Sequence, residues 1–146
     1  MREILFKAKT EMIVGAYNCG KEDGEWVQGY LRCDCGKWLI YQFETDRADQ
    51  VAYEVNPDTI CQYIGLTDKN GNKIWENDVV ERVDRRNGIY VFREQPKMNC
   101  KVTWTDRHGY DTEPSCGYFD KRNALECEVI GNIFDNPELL NNKTEF

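Results

Sequence analysis

At 146 residues, 40% of them apolar and 12% aromatic, the chain is long enough for one ordinary domain or two small lobes with packed cores. Its 19 basic and 26 acidic side chains give a formal net charge of -7, and no segment is a basic tail, which excludes a protein built to wrap duplex nucleic acid. Met1-Arg2-Glu3-Ile4-Leu5-Phe6-Lys7 interrupts its apolar residues with charge too early for a signal-peptide core, and no apolar run reaches transmembrane length; a soluble, cytoplasmic protein whose seven cysteines stay reduced is expected.

Arg2 to Lys9 alternates, with Ile4, Phe6 and Ala8 on one face and Leu5 and Lys7 on the other, which predicts a half-buried first strand. Met12 to Ala16 continues it or pairs with it. Turn residues at Asn18-Cys19-Gly20 and Glu22-Asp23-Gly24 then lead into the aromatic run Trp26 to Leu31. Lys37 to Phe43 and Gln50 to Val55 add two further β-type runs around the charged stretch Glu44 to Asp49, so the opening of the chain reads as a small sheet. At Asn56-Pro57-Asp58-Thr59 the character changes: Pro57 suits the first turn of a short helix and Asn56 can cap it. Beyond it lie Ile60 to Leu66, a turn at Asp68-Lys69-Asn70-Gly71, and the strand opened by Val79-Val80. Asn87-Gly88 before Ile89 to Phe92 is a hairpin signal. Lys101 to Trp104, Gly117 to Phe119 and Cys127 to Ile130 are further short strands, and Pro137 to Leu140 makes one helical turn. The expected fold is therefore mainly β with little helix: a lobe over 1–57, a small, partly open barrel over 58–140 and a polar tail over 141–146.

The stretch Gln62-Tyr63-Ile64-Gly65-Leu66, followed by Asp68-Lys69-Asn70-Gly71, Ile74-Trp75-Glu76 and Asp78-Val79-Val80, resembles the signature of the YopX family of phage and prophage proteins. So do Glu128 to Phe134 with Asn136-Pro137-Glu138-Leu139-Leu140, and the opening Arg2-Glu3-Ile4 with Phe6 and Ala8. The resemblance spans nearly the whole chain. It implies an all-β protein with an SH3-like barrel in its C-terminal half, encoded by a bacterial virus or an integrated element, and it implies no established activity. One position departs from the pattern: the family usually has Gly between the Glu and the Asp, where this chain has Asn77. Asn tolerates a left-handed backbone better than other side chains, so the turn is expected to survive. Read by themselves, Gly65, Asp68, Asn70, Gly71, Trp75, Asn77 and Asp78, with Gly131, Asn132 and Pro137 near the end, are residues of turn and anchor type, and architecture explains them without a ligand.

Chemical candidates are few. Asp68, Asn70 and Asn72 occupy the first three ligand positions of a calcium loop, but Lys73 stands where its sixth-position Gly belongs and Val79 where its Glu belongs, so that reading fails. Cys19, Cys33, Cys35 and Cys61 are weak zinc candidates, because no Cys-x-x-Cys pair is present. His108, the single histidine, would have to be the base of any Cys-His or Ser-His mechanism. Carboxylate pairs such as Glu126 with Glu128 share a strand face and read equally well as an exposed surface. No phosphate-cradling Gly-rich loop occurs, and no cofactor is expected. Arg82, Arg85, Arg86 and Arg93 with Tyr90 and Phe92 form a candidate binding patch, and Trp104 is a further aromatic candidate. The composite expectation is a non-enzymatic module that binds an unidentified protein of host or phage, or a second copy of itself. Nucleic acid at the Arg82–Arg93 region is the alternative, one that the net charge disfavours, and an enzyme with a cysteine or carboxylate site is a weaker one.

Overall fold

Short β-branched and aromatic runs, separated by Gly, Asn and Asp turns, form antiparallel strands with very little helix. The computed structural model describes residues 4–11, 24–43, 50–83, 97–107, 109–116 and 119–141. The chain divides into two compact units, residues 1–63 and 64–146. The expected lobe boundary at 57/58 falls within a 3-10 turn, Pro57–Thr59, that Asn56 caps by accepting a hydrogen bond from Asp58 N at 3.0 Å.

In the first unit, β1 (Phe6–Lys9), β2 (Trp26–Asp34), β3 (Lys37–Phe43), β4 (Gln50–Glu54) and β5 (Cys61–Thr67) run in the order β4-β3-β2-β1-β5. Strand β5 begins in this unit and ends in the second. The β2–β3 register closes on Asp34 opposite Lys37, which leaves Cys35-Gly36 as a two-residue hairpin turn. Both have positive φ, 51° and 78°, as the right-handed twist of the flanking strands requires. Alternation then assigns the faces. Phe6, Ala8, Val27, Leu31, Trp38, Ile40, Tyr53 and Val55 pack into one core. Lys7, Lys9, Trp26, Gln28, Tyr30, Arg32 and Tyr41 have the opposite parity and form the outer face. Val55, expected to end a strand, makes an isolated bridge with Thr10 instead.

In the second unit, β6 (Lys73–Trp75) neighbours β5, and a four-stranded sheet follows the order β10-β7-β8-β9, built from β7 (Asp78–Val83), β8 (Lys97–Thr105), β9 (Gly109–Glu113) and β10 (Glu128–Asn132). This sheet does not close into a barrel among the described residues. Ile64, Ile74, Val80, Cys100, Val102, Cys116, Ala124 and Cys127 form its buried core. One short helix, α1 (Lys121–Ala124), is capped by Asp120, whose carboxylate accepts from Asn123 N at 2.9 Å. Phe119, read from sequence as strand, lies outside any strand just before this cap, because Asp120 starts a helical turn there. Strand β9 was not expected, since Gly109-Tyr110-Asp111-Thr112-Glu113 has too few apolar residues to show a pattern. The Asn87-Gly88 hairpin and the Met12 to Ala16 strand lie outside the described residues.

Candidate functional site

Arg82, the first member of the expected basic patch, is not a surface cation. It follows Val80 on the inward face of β7 and retains only 4% of its exposure. Its Nη1 donates to Thr112 Oγ1 at 2.8 Å, Asp111 Oδ1 lies 4.0 Å away, and the guanidinium sits 5.1 Å over the Phe119 ring. Thr112 Oγ1 donates onward to the carbonyl of Pro114 at 3.1 Å, and Thr112 N donates to Asp111 Oδ1 at 2.7 Å. A buried guanidinium needs partners of this kind to offset its lost hydration, and here they tie β7 to β9. Arg85, Arg86, Tyr90, Phe92 and Arg93 lie outside the described residues, as does His108.

Three thiols line the same core. Cys100 Sγ and Cys116 Sγ are 3.6 Å apart, and Cys127 Sγ donates to the carbonyl of Asn123 at 3.1 Å. Burial, reinforced by Cys116, pushes the Cys100 thiol up to about 12. Burial pushes Cys127 up to about 11 against the opposing pull of Arg82. Since the thiolate is the nucleophile and the metal ligand, these two cysteines behave at neutral pH as small apolar side chains. A small depression beside Cys127 is lined by Arg82, Val83, Asn123 and Glu126. Of the zinc candidates, Cys33 and Cys35 are exposed on the β2–β3 hairpin, Cys61 is buried and donates to the Thr59 carbonyl at 3.3 Å, and Cys19 lies outside the described residues. No group of three His, Cys, Asp or Glu side chains that could hold a metal ion occurs among the described residues.

The signature stretch builds two carboxylate-centred turns. Asp68 is 1% exposed; its Oδ1 accepts from Asn70 N at 2.9 Å and Asn72 N at 2.8 Å, and its Oδ2 accepts from Val129 N at 2.9 Å and Asn72 Nδ2 at 3.4 Å. Burial raises the Asp68 carboxyl, but the donors from Val129, Asn72 and Asn70 outweigh it and hold the group below the usual carboxylate range. Asp78, equally buried, accepts from Trp75 N at 2.8 Å. Between them Asn77 adopts φ 67°, with its N–H on the Val102 carbonyl and its own carbonyl on Ile133 N. Gly65 and Gly71 also have positive φ, 87° and 81°. Asn132 Oδ1 accepts from Phe134 N and Asp135 N, and Asn136 precedes the 3-10 turn that Pro137 opens. These polar side chains point into their own backbone rather than toward solvent, which is turn chemistry and not calcium coordination.

A large aromatic ring also faces solvent. Trp104 near the end of β8 is 56% exposed, meets Tyr110 edge-to-face at 4.9 Å and 77°, and lies over Gly109, where a Cβ would stand 3.6 Å from the indole. Thr105 Oγ1 closes this hairpin on the Gly109 carbonyl at 2.9 Å.

The fold and these features define a mainly β protein of two units in which Asp68, Asp78 and the buried thiols are committed to structure. The YopX protein family model matches residues 21–141, and the chain belongs to that family. The crystal structure of protein EF1440 from Enterococcus faecalis is similar in fold, with a TM-score of 0.57 at 23% identity over 96% of this chain and 99% of that one. No curated protein matches the chain. No helix among the described residues is long and apolar enough to cross a membrane.

Proposed function

We propose that this chain is a non-enzymatic binding module of a bacterial virus or integrated viral element, acting in the host cytoplasm on a protein partner through the β8–β9 hairpin. The observation that carries this reading is Trp104. A large ring more than half exposed yet fixed by Tyr110 and Gly109 binds with little further loss of rotamer freedom, and tryptophan is enriched among the residues that carry interface affinity. The commitment of Asp68, Asp78, Arg82, Cys100 and Cys127 to internal contacts supports binding over catalysis. The SH3-like character of the second unit belongs to the same reading, with its short strands as a rigid support for the hairpin.

Affinity capture from infected bacteria with the intact chain, Trp104→Ala and Leu125→Ala tests it. Leu125 is another exposed apolar residue, outside the hairpin, and controls for general stickiness. A captured protein whose affinity falls about 30-fold or more with Trp104→Ala but not with Leu125→Ala is the expected result. The same proteins recovered with all three chains would refute the reading.

A further inference from the structure

The outer face of the first unit carries a feature that the protein-binding reading does not use. The β1–β2 register sets Lys7 opposite Gln28 and Lys9 opposite Trp26. The Nζ atoms of Lys7 and Lys9 lie 4.8 Å and 5.5 Å from the centroid of the Trp26 ring. The β2–β3 register sets Tyr30 opposite Tyr41, and Arg32, two residues further along the same face, reaches over the Tyr41 ring at 5.9 Å. Along β2 the outward row therefore reads Trp26, Gln28, Tyr30, Arg32: cations gather at both ends, and Tyr30, 58% exposed, stands between them. At about 3.4 Å per residue the row is about 20 Å long. Asp34 and Lys37 oppose each other at the hairpin end, so the cations of the row are Lys7 and Lys9 at one end and Arg32 at the other, in a chain whose net charge is -7.

We infer that this face binds single-stranded nucleic acid, with one base stacked on Tyr30 and the flanking phosphates held by Lys7 and Lys9 on one side and Arg32 on the other. Strands without a partner strand expose the flat faces of their bases, every base has such a face, and aromatic rings interleaved with cations on a sheet match that repeat of plane and charge. A duplex hides its base faces and meets only the average field of the chain, which repels it. An acidic peptide matches the cations but leaves the exposed ring without a stacking partner. Arg82 takes no part, because it is buried.

The test is fluorescence anisotropy with a labelled oligothymidylate of about 20 nucleotides, longer than the site of one small β module. Three phosphate contacts predict a slope of log affinity against log salt of about -2, hence a loss of about 20-fold between 50 and 200 mM salt. Tyr30→Ala should weaken binding about 5- to 150-fold and leave the salt slope alone, whereas Tyr30→Phe, which keeps the ring, should bind as the parent does. Lys7→Gln and Arg32→Gln should each flatten the slope by about 0.7. Lys7, Tyr30 and Arg32 lie on the outer face, and circular dichroism verifies that each variant folds. The inference is overturned by the absence of binding at 50 mM salt, by equal affinity for the duplex of the same length, by a polyglutamate peptide binding as tightly, or by unchanged affinity in Tyr30→Ala. Trp104→Ala should leave oligonucleotide binding intact, which separates this face from the protein-binding hairpin.

Discussion

Replacing Asp68 by Asn exchanges one carboxylate oxygen for an amide that only donates, at a site where both oxygens accept. With the remaining oxygen toward Asn70 and Asn72, the new NH2 group faces Val129 N, which the carboxylate held at 2.9 Å. With the amide turned over, it faces the two N–H groups of Asn70 and Asn72 instead. Either way a donor meets a donor. An unsatisfied, partly buried N–H costs about 1–3 kcal/mol, and the surviving bonds lose their charge assistance. Asn70 and Asn72 are exposed and recover water easily, so the cheaper orientation sets the cost, about 2 kcal/mol. For a chain of this length that corresponds to a melting point lower by about 4–8 °C. The pH dependence supplies a second signature. The Asp68 carboxyl titrates below its usual range when folded, so its contribution is complete above the unfolded value of about 3.9 and disappears as pH falls through the lower folded value. The gap between parent and Asp68→Asn should be widest at neutral pH and begin to narrow below about pH 4. Urea unfolding followed by tryptophan fluorescence at pH 7, 5 and 3.5 measures both effects. A difference under about 0.5 kcal/mol at pH 7, or a gap that widens in acid, would refute the account of Asp68 as an internal staple.

Three further outcomes follow from the same contacts. Asn77→Gly should match or slightly exceed the parent in urea, because Gly enters the φ 67° turn without steric cost, whereas Asn77→Val should lose about 1–2 kcal/mol. Gly29→Ala should be more harmful than Gly131→Ala: a Cβ at 29 collides with the backbone carbonyl of Tyr41, while one at 131 collides with the side chain of Asn136, which can turn aside at a cost of about 1–3 kcal/mol; thermal melts of the two variants rank them. In a thiol-labelling time course with peptide mapping, Cys33 and Cys35 should react within the first phase, and Cys61, Cys100, Cys116 and Cys127 only at the rate of unfolding.

Much of the fold was legible because strands and turns are written locally. The alternation read over Arg2 to Lys9 matches a strand in its second half, Phe6–Lys9, the run Lys37–Phe43 matches a strand throughout, and Asn56-Pro57 starts a capped 3-10 turn. Where the reading missed, the deciding partner was distant. Strand β9 is polar and exists because β8 supplies its ladder, with Val102 opposite Thr112 and Trp104 opposite Tyr110. Arg82 looked like surface charge among neighbouring arginines, yet its position is set by Thr112, thirty residues away, and sequence holds no signal for that pairing. The Cys33-Asp34-Cys35-Gly36 segment holds two of the weak zinc candidates. Its spacing instead serves a two-residue turn in which Cys35 takes a positive φ. The cation-and-ring face is the clearest case: Lys7 and Trp26 are nineteen positions apart in sequence, and only the β1–β2 register makes them neighbours.

The same reasoning explains why the most recognisable stretch of the chain is the least promising place to look for a ligand. A carboxylate that binds a partner must present oxygens outward, and those of Asp68 are taken by the backbone at 70, 72 and 129, joining the start of the signature to β10 near the chain's other end. Asn77 extends that link, with its N–H on Val102 of β8 and its carbonyl on Ile133 just past β10. The signature thus fixes a junction of strands far apart in sequence, where a change in any one turn residue strains several strands at once. Recognition has to use surfaces free of that duty. Among the described residues, the Trp104 hairpin of the second unit and the Lys7–Trp26–Tyr30–Arg32 face of the first contain no signature residue.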